Sequence, residues 1–284
     1  MCLILFAWNS HPEYSLVVAA NRDEFYERPT HPIGYWSDAP HILGSRDAAD
    51  VLGIPGTALG LSLQGKFAAV TNIRAPSEKN PEMRTRGELT AKYLTHPNST
   101  QDFIAQNEKS FLQYNGFNLL LGDISLGEKS HLSWLSNRLL VGDKIRHRKV
   151  MNPVPVNPGV YGISNAMLDT PWPKVRSGVA SFAQALAMDT GKLDHPEHYF
   201  RLLKNDSRPS DEELPSTGVN IEWERALSPI FIKTENYGTR SSSLLRVRKD
   251  GTFQMIERSY DANSDEKTSI FEGQFNQSTQ TNSN

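Results

Sequence analysis

The first twenty residues constrain the fold most strongly, because they alternate in no obvious way and are apolar almost throughout. Cys2–Trp8 and Leu16–Ala20 are rich in β-branched, aromatic and aliphatic side chains, and Asn9-Ser10-His11-Pro12-Glu13 between them is turn chemistry. The spacing predicts a β-hairpin. In an antiparallel pair the two residue numbers sum to a constant, which with the turn near Pro12 is about 24. Cys2 is therefore expected opposite Asn21-Arg22-Asp23, which sets the lone cysteine of the chain beside the most polar stretch of the region.

The remaining elements follow from pattern. Thr57–Leu63 and Lys66–Asn72 around Gln64-Gly65 read as a second hairpin. Helices are predicted over Arg84–Leu94 and Thr100–Tyr114, the latter with Ser99 and Thr100 as candidate N-caps. Phe117–Gly122, His131–Leu135, Leu139–Val141 and Val160–Ser164 read as short strands, and the proline-rich 151–160 segment as a loop. Val175, Val179, Phe182 and Leu186 recur at helical spacing, predicting a helix from Pro173 to about Met188, with a shorter one over Pro196–Lys204. Lys204–Gly218 reads as an exposed loop. Ile230–Thr234, Thr239–Arg248 and Thr252–Tyr260 read as a meander, turned at Lys249-Asp250-Gly251. Strands that come in hairpins argue for antiparallel sheets covered by helices, an α+β domain over 1–273. Gln274–Asn284 is almost purely polar and is expected to be disordered.

Composition removes several classes. Thirty basic against thirty-two acidic residues give a net charge of −2, without the basic surplus of a general nucleic-acid binder. No apolar run is long enough to span a bilayer. One cysteine allows no intrachain disulfide and no thiolate zinc site. The amino terminus is apolar without a basic leader, which points to the cytoplasm.

Cys2 then carries the chemistry. Removal of Met1 would leave a thiol and an α-amine on one residue, and an α-amine can serve as general base to its own nucleophile. Such a site also needs a cation or donor for the thiolate, an acid to orient the amine, and donors for the oxyanion. Arg22 and Asp23, with Asn21 beside them, supply the first two. Asn72 and Asn165 end strands, where asparagine is disfavoured, so their amides are expected to aim into a shared site. Arg240 begins a late strand and completes the candidate set.

Met1-Cys2, Asn21-Arg22-Asp23-Glu24, Phe67–Arg74, Gly162–Asn165 and Tyr237–Ser242 together resemble the NRDE family, also called the transport and Golgi organisation protein 2 family. That resemblance implies intracellular handling of haem, or a similar hydrophobic ligand, held without covalent attachment. More distantly the chain is similar to bile-salt hydrolases and penicillin V acylases. This implies the four-layer αββα sandwich of amino-terminal-nucleophile enzymes, with Cys2, Asp23, Asn72, Asn165 and Arg240 in catalytic order. It also implies hydrolysis or acyl transfer at non-peptide C–N (amide) bonds. Those hydrolases place an arginine three residues before the aspartate, where this chain has Ala20. Adjacent strand residues point to opposite faces, which turns Arg22 away from a site that Asp23 enters.

Overall fold

Strands whose residues are apolar on both sides must be covered on both sides, and the first hairpin is buried in that way. The computed structural model describes residues 2–47, 55–125, 130–141, 144–148, 152–261 and 265–276. In chain order the strands are β1 (Cys2–Trp8), β2 (Tyr14–Phe25), β3 (Thr30–Trp36), β4 (Ala39–Asp47), β5 (Leu59–Ser62) and β6 (Lys66–Asn72). Helices α1 (Gly87–Thr95) and α2 (Thr100–Asn107) follow. Next come β7 (Phe117–Asp123), β8 (His131–Ser136), β9 (Arg138–Val141), β10 (Lys144–His147), β11 (Val154–Pro155) and β12 (Gly159–Ile163). The chain continues through α3 (Pro173–Met188), α4 (Glu197–Leu203) and α5 (Ile221–Leu227). It closes with β13 (Tyr237–Arg248), β14 (Thr252–Tyr260) and β15 (Glu266–Gln274).

The strands form two large antiparallel sheets, ordered β12-β1-β2-β13-β14-β15 and β11-β8-β7-β6-β5-β4-β3. Between them lie Ile4, Phe6, Trp8, Leu16, Val18 and Ala20 from the first sheet, packed with Leu61, Phe67, Ala69 and Leu120 from the second. The opposite faces of β1 and β2 (Leu3, Leu5, Ala7, Val17, Ala19) pack against Val175, Phe182, Tyr199 and Phe200 of α3 and α4. Ala68, Leu119 and Leu121 of the second sheet pack against Leu89, Tyr93 and Phe103 of α1 and α2. The layer order is helix, sheet, sheet, helix. This is the expected αββα sandwich.

The β1–β2 register pairs Cys2 with Arg22 and Trp8 with Leu16, the sum of 24 that the turn alone implies. Gly65 turns β5 into β6 at φ 91°, and Gly251 turns β13 into β14 at φ 83°, conformations that glycine adopts without a Cβ penalty. α2 begins on Ser99, which accepts the Asp102 N–H in a capping box.

Several expectations give way. The predicted helix over 100–114 stops at Asn107 and resumes as a short 3-10 turn at Ser110–Gln113. Ile230–Thr234 is not a strand, making a single isolated bridge from Lys233 to Gly238. Its two isoleucines are buried in an irregular segment in which the N–H groups of Phe231 and Ile232 find Asn205 O and the Thr239 hydroxyl instead. α5 lies where no element was expected, although Asn220 caps it by accepting the Trp223 N–H and glutamates occupy its first turn. Gln274 and Phe275, assigned to the polar tail, belong to the fold. Phe275 stacks on Phe253 at 5.4 Å. The rest of that tail, from 277, lies outside the described residues.

Candidate active site around Cys2

Even-numbered residues of β1 and β2 face the space between the sheets, so Cys2 and its partner Arg22 share that face at the sheet's end. Asn21 and Asp23 point the other way, toward the helices. Arg22, expected to turn away, therefore shares the face of Cys2, while Asp23 lies on the other face of β2 and still lines the cavity that holds Cys2. The physical reason is that Leu16–Ala20 is apolar on both faces, so only the second sheet decides which face is the interior.

Asn21 is used up structurally. Its amide donates to Leu203 O (2.8 Å) and Ile230 O (2.9 Å) and its oxygen accepts from Ser242 Oγ (2.6 Å), tying the end of α4 to the sheet. Asp23 accepts from Thr239 Oγ1 at 2.7 Å, and its backbone carbonyl accepts from the Tyr237 hydroxyl at 3.0 Å. Its contribution at the thiol is the backbone N–H, which donates to Cys2 Sγ.

Cys2 is half-buried. Burial pushes its thiol above the ordinary range, and the Asp23 charge adds to this, while Arg22 and the Asp23 N–H act in the opposite sense. Burial likewise pushes the Asp23 carboxyl up, against the pull of Lys174, Thr239 and Arg22. Lys174, in the first turn of α3, is buried and donates to Leu227 O at 2.9 Å. Loss of solvation lowers it to about 8.

Three cavities meet at Arg22. A small polar one of about 80 Å³ holds Cys2, Asp23, Asn72, Arg28 and Arg86. A narrow slot of about 20 Å³ runs from Cys2 between the sheets. A cleft of about 370 Å³ opens beyond Ser241 and Glu257. Arg22 Nη2 lies 3.9 Å from Glu24, while its buried Nη1 has no hydrogen-bond partner among the described residues. Arg28 is held by Asp47 and Glu24. Arg86, just before α1, sits close enough to Cys2 for a thiolate to favour its charged form, although burial depresses it. Sequence reasoning misses Arg86, because nothing local ties residue 86 to residue 2.

The other expected residues divide. Asn72 lines the polar cavity, and its side-chain amide makes no hydrogen bond to the described residues. Asn165 is engaged at the end of β6. It is fully buried and donates to Asn72 O at 2.9 Å, while its own backbone carbonyl accepts the Arg74 N–H. Ser164 Oγ donates to Cys2 O at 3.2 Å, so this strand end braces Cys2 and Asn72 without entering the site. Arg240 lines the wide cleft with Arg22. Its guanidinium donates to the carbonyls of Phe25, Tyr26 and Arg28 at 3.1 Å and of Tyr260 at 3.3 Å, latching the β2–β3 turn that carries Arg28.

The family model for Transport and Golgi organisation 2 matches residues 1–262. The chain belongs to that family. Its relatives include the Transport and Golgi organization protein 2 homolog of Bos taurus, 32% identical over 272 residues that cover 91% of this chain and 93% of the relative. The Drosophila melanogaster protein Transport and Golgi organization protein 2 is 27% identical, covering 90% and 91%. Among solved structures, a Caenorhabditis elegans N-acylethanolamine-hydrolyzing acid amidase ortholog aligns with a TM-score of 0.48 at 10% identity, covering 86% and 92%. A conjugated bile acid hydrolase from Clostridium perfringens aligns with a TM-score of 0.42 at 13% identity, covering 97% of each chain. Among the described residues, no helix is long and apolar enough to cross a membrane.

Proposed function

We propose that Cys2 is the nucleophile of an amide hydrolase or acyltransferase that works through an acyl-cysteine intermediate. One observation carries the reading. The sole thiol and Arg22 are direct cross-strand neighbours on one face, and that face opens into a cavity with Arg86 and the unengaged amide of Asn72.

The chemistry starts with Met1 removed. The α-amine of Cys2 takes the thiol proton, and Sγ attacks the amide carbonyl as the C–S bond forms. The oxyanion is met by the Asn72 amide, with the guanidinium groups of Arg22 and Arg86 favouring negative charge nearby. The C–N bond then breaks and the proton passes from the α-ammonium to the departing nitrogen. Water, or an acceptor amine, releases the acyl group by the reverse sequence. Asp23 takes part through its N–H, which favours the thiolate.

Intact mass and thiol alkylation test this directly. The purified protein is expected to lack Met1. Iodoacetamide should label Cys2 with a rate that rises with pH along a curve displaced above that of free cysteine, because burial raises the thiol. Arg22→Leu should displace the curve further upward, since the guanidinium favours the thiolate. A retained Met1, or an Arg22→Leu curve moved downward, would refute the assignment.

A second reading has support elsewhere in the molecule. A cleft of about 520 Å³ is lined by Leu140, Ile145, Met167 and Trp172, with Arg74 and Arg146 at its walls. A thioether ligand, an indole face and two guanidinium groups suit a flat hydrophobic ligand bearing carboxylates, such as haem. Haemin titration should then give a saturable absorbance band that Met167→Ala weakens. Linear uptake equal to that of an unrelated protein would sink this reading.

A further inference from the structure

We infer that the acyl half of a Cys2 substrate is limited to about the size of an acetyl group, and that Ile33, Leu59 and Met255 set the limit. The inference rests on the reading of Cys2 as an acyl-accepting nucleophile.

The slot that leaves Cys2 between the sheets is the least charged of the three spaces, its apolar side chains sharing the lining with Asn21, Arg22, Glu257 and three serines. Ile4, Ala20 and Met255 of the first sheet line one side, and Ile33 and Leu59 of the second sheet line the other. All five are buried. Its volume of about 20 Å³ is room for roughly one water-sized group. The methyl of an acetyl group would fill it.

Its far end is stapled. Glu257 on β14 accepts the backbone N–H of Ile33 on β3 at 2.9 Å, a bond that joins the two sheets. Glu257, Arg22, Ser45 and Ser241 line both the slot and the wide cleft beyond it, so this bond stands where the two spaces meet. A longer chain must either break it or push Met255 and Leu59 out of a close-packed core, which resists added methylenes.

Among the described residues, the other two spaces at Arg22 suit an alkyl chain less well than the slot. The cavity around Arg28 and Arg86 and the cleft around Arg240 and Glu257 are both lined by charged groups. An alkyl chain laid there would strip water from those groups without replacing its hydrogen bonds. The polar spaces therefore suit the amine half. The substrate class is a short-acyl amide of a polar amine.

A series of p-nitrophenyl esters from acetate through butyrate to hexanoate tests this on the whole chain. Sγ attacks the ester carbonyl, the C–S bond forms, the C–O bond breaks, p-nitrophenolate leaves and the thiol proton passes to the α-amine. The burst rate is read relative to each ester's reaction with free cysteine, and the adduct is located on Cys2 by mass. The wild type is expected to lose at least about tenfold from acetate to hexanoate. Ile33→Ala should narrow the acetate-to-hexanoate ratio to within about twofold, and Met255→Ala offers the same test should the first variant fold poorly. A flat series with acyl-Cys2 formed overturns the size limit and leaves the nucleophile intact. Alkylation by iodoacetamide without acylation by any ester overturns the nucleophile reading and the size limit together.

Discussion

Arg246→Leu is expected to destabilise the protein by about 3–5 kcal/mol, the usual cost of removing one partner of a buried ion pair. Arg246 is fully buried on β13, and its Nη1 lies 3.0 Å from Asp189 Oδ2. Asp189, just past α3, also accepts from the Tyr14 hydroxyl (2.8 Å), the Tyr199 hydroxyl (3.1 Å) and the Gly191 N–H (2.9 Å). Leucine at 246 would leave that carboxylate buried without its cation. It would also strand the carbonyls of Leu193 and Asp194, which the guanidinium serves. The expected loss of Tm is roughly 6–15 °C. Asp189→Asn should cost a comparable amount, because its oxygen can still accept from Tyr14 and Gly191 but its NH2 then faces the Arg246 guanidinium and the Tyr199 hydroxyl. A loss below about 1 kcal/mol for Arg246→Leu would show that the network contributes little.

The pH dependence follows from the same groups. Burial raises the Asp189 carboxyl, but the Gly191 N–H, Tyr14 and Arg246 outweigh it and hold the group below the ordinary carboxylate range. Its contribution is present above pH about 4 and is lost as pH falls through the lowered value. Burial and Asp189 push Tyr14 up to about 12. Its contribution is present below its ordinary value near 10 and is lost as pH rises toward the raised one. Acid unfolding of Arg246→Leu should accordingly show a weaker pH dependence than the wild type.

Cys2→Ala is expected to abolish acyl-enzyme formation outright while changing stability by less than about 1 kcal/mol. The chain has one cysteine, so no second thiol can substitute. Cys2 is a half-buried strand end, and its backbone carbonyl still accepts from Ser164 Oγ whatever side chain it carries. Mass spectrometry of the ester reaction reads the first effect and thermal unfolding the second. An acyl adduct on the alanine variant would mean that the reactive group lies elsewhere. Adducts on the wild type at residues other than Cys2 would mean the same.

Local order was legible where chemistry is local. The Pro12 turn sets the β1–β2 register, so Cys2 opposite Arg22 follows from counting along two strands. The helical spacing of Val175, Val179, Phe182 and Leu186 marks α3 over its full length. Ser99 announces the start of α2, because capping is a contact between residues three apart. Asn220 caps α5 in the same way, but no helix was expected there, because seven residues are too few for a hydrophobic period to stand out. Ile230–Thr234 misleads for the opposite reason. Its β-branched run reflects burial, and burial does not require a ladder partner.

The amino-acid order alone determined that the lone thiol of the first hairpin lies opposite Asn21-Arg22-Asp23. Packing of the second sheet decided the rest. It chose the face of β2 that looks inward, which set Cys2 and Arg22 together between the sheets and Asp23 on the helix side. It also carried Arg86 across eighty-four residues of chain and set Arg240 to work on backbone carbonyls. A strand that is apolar on both sides has no preferred interior until another layer covers one of them.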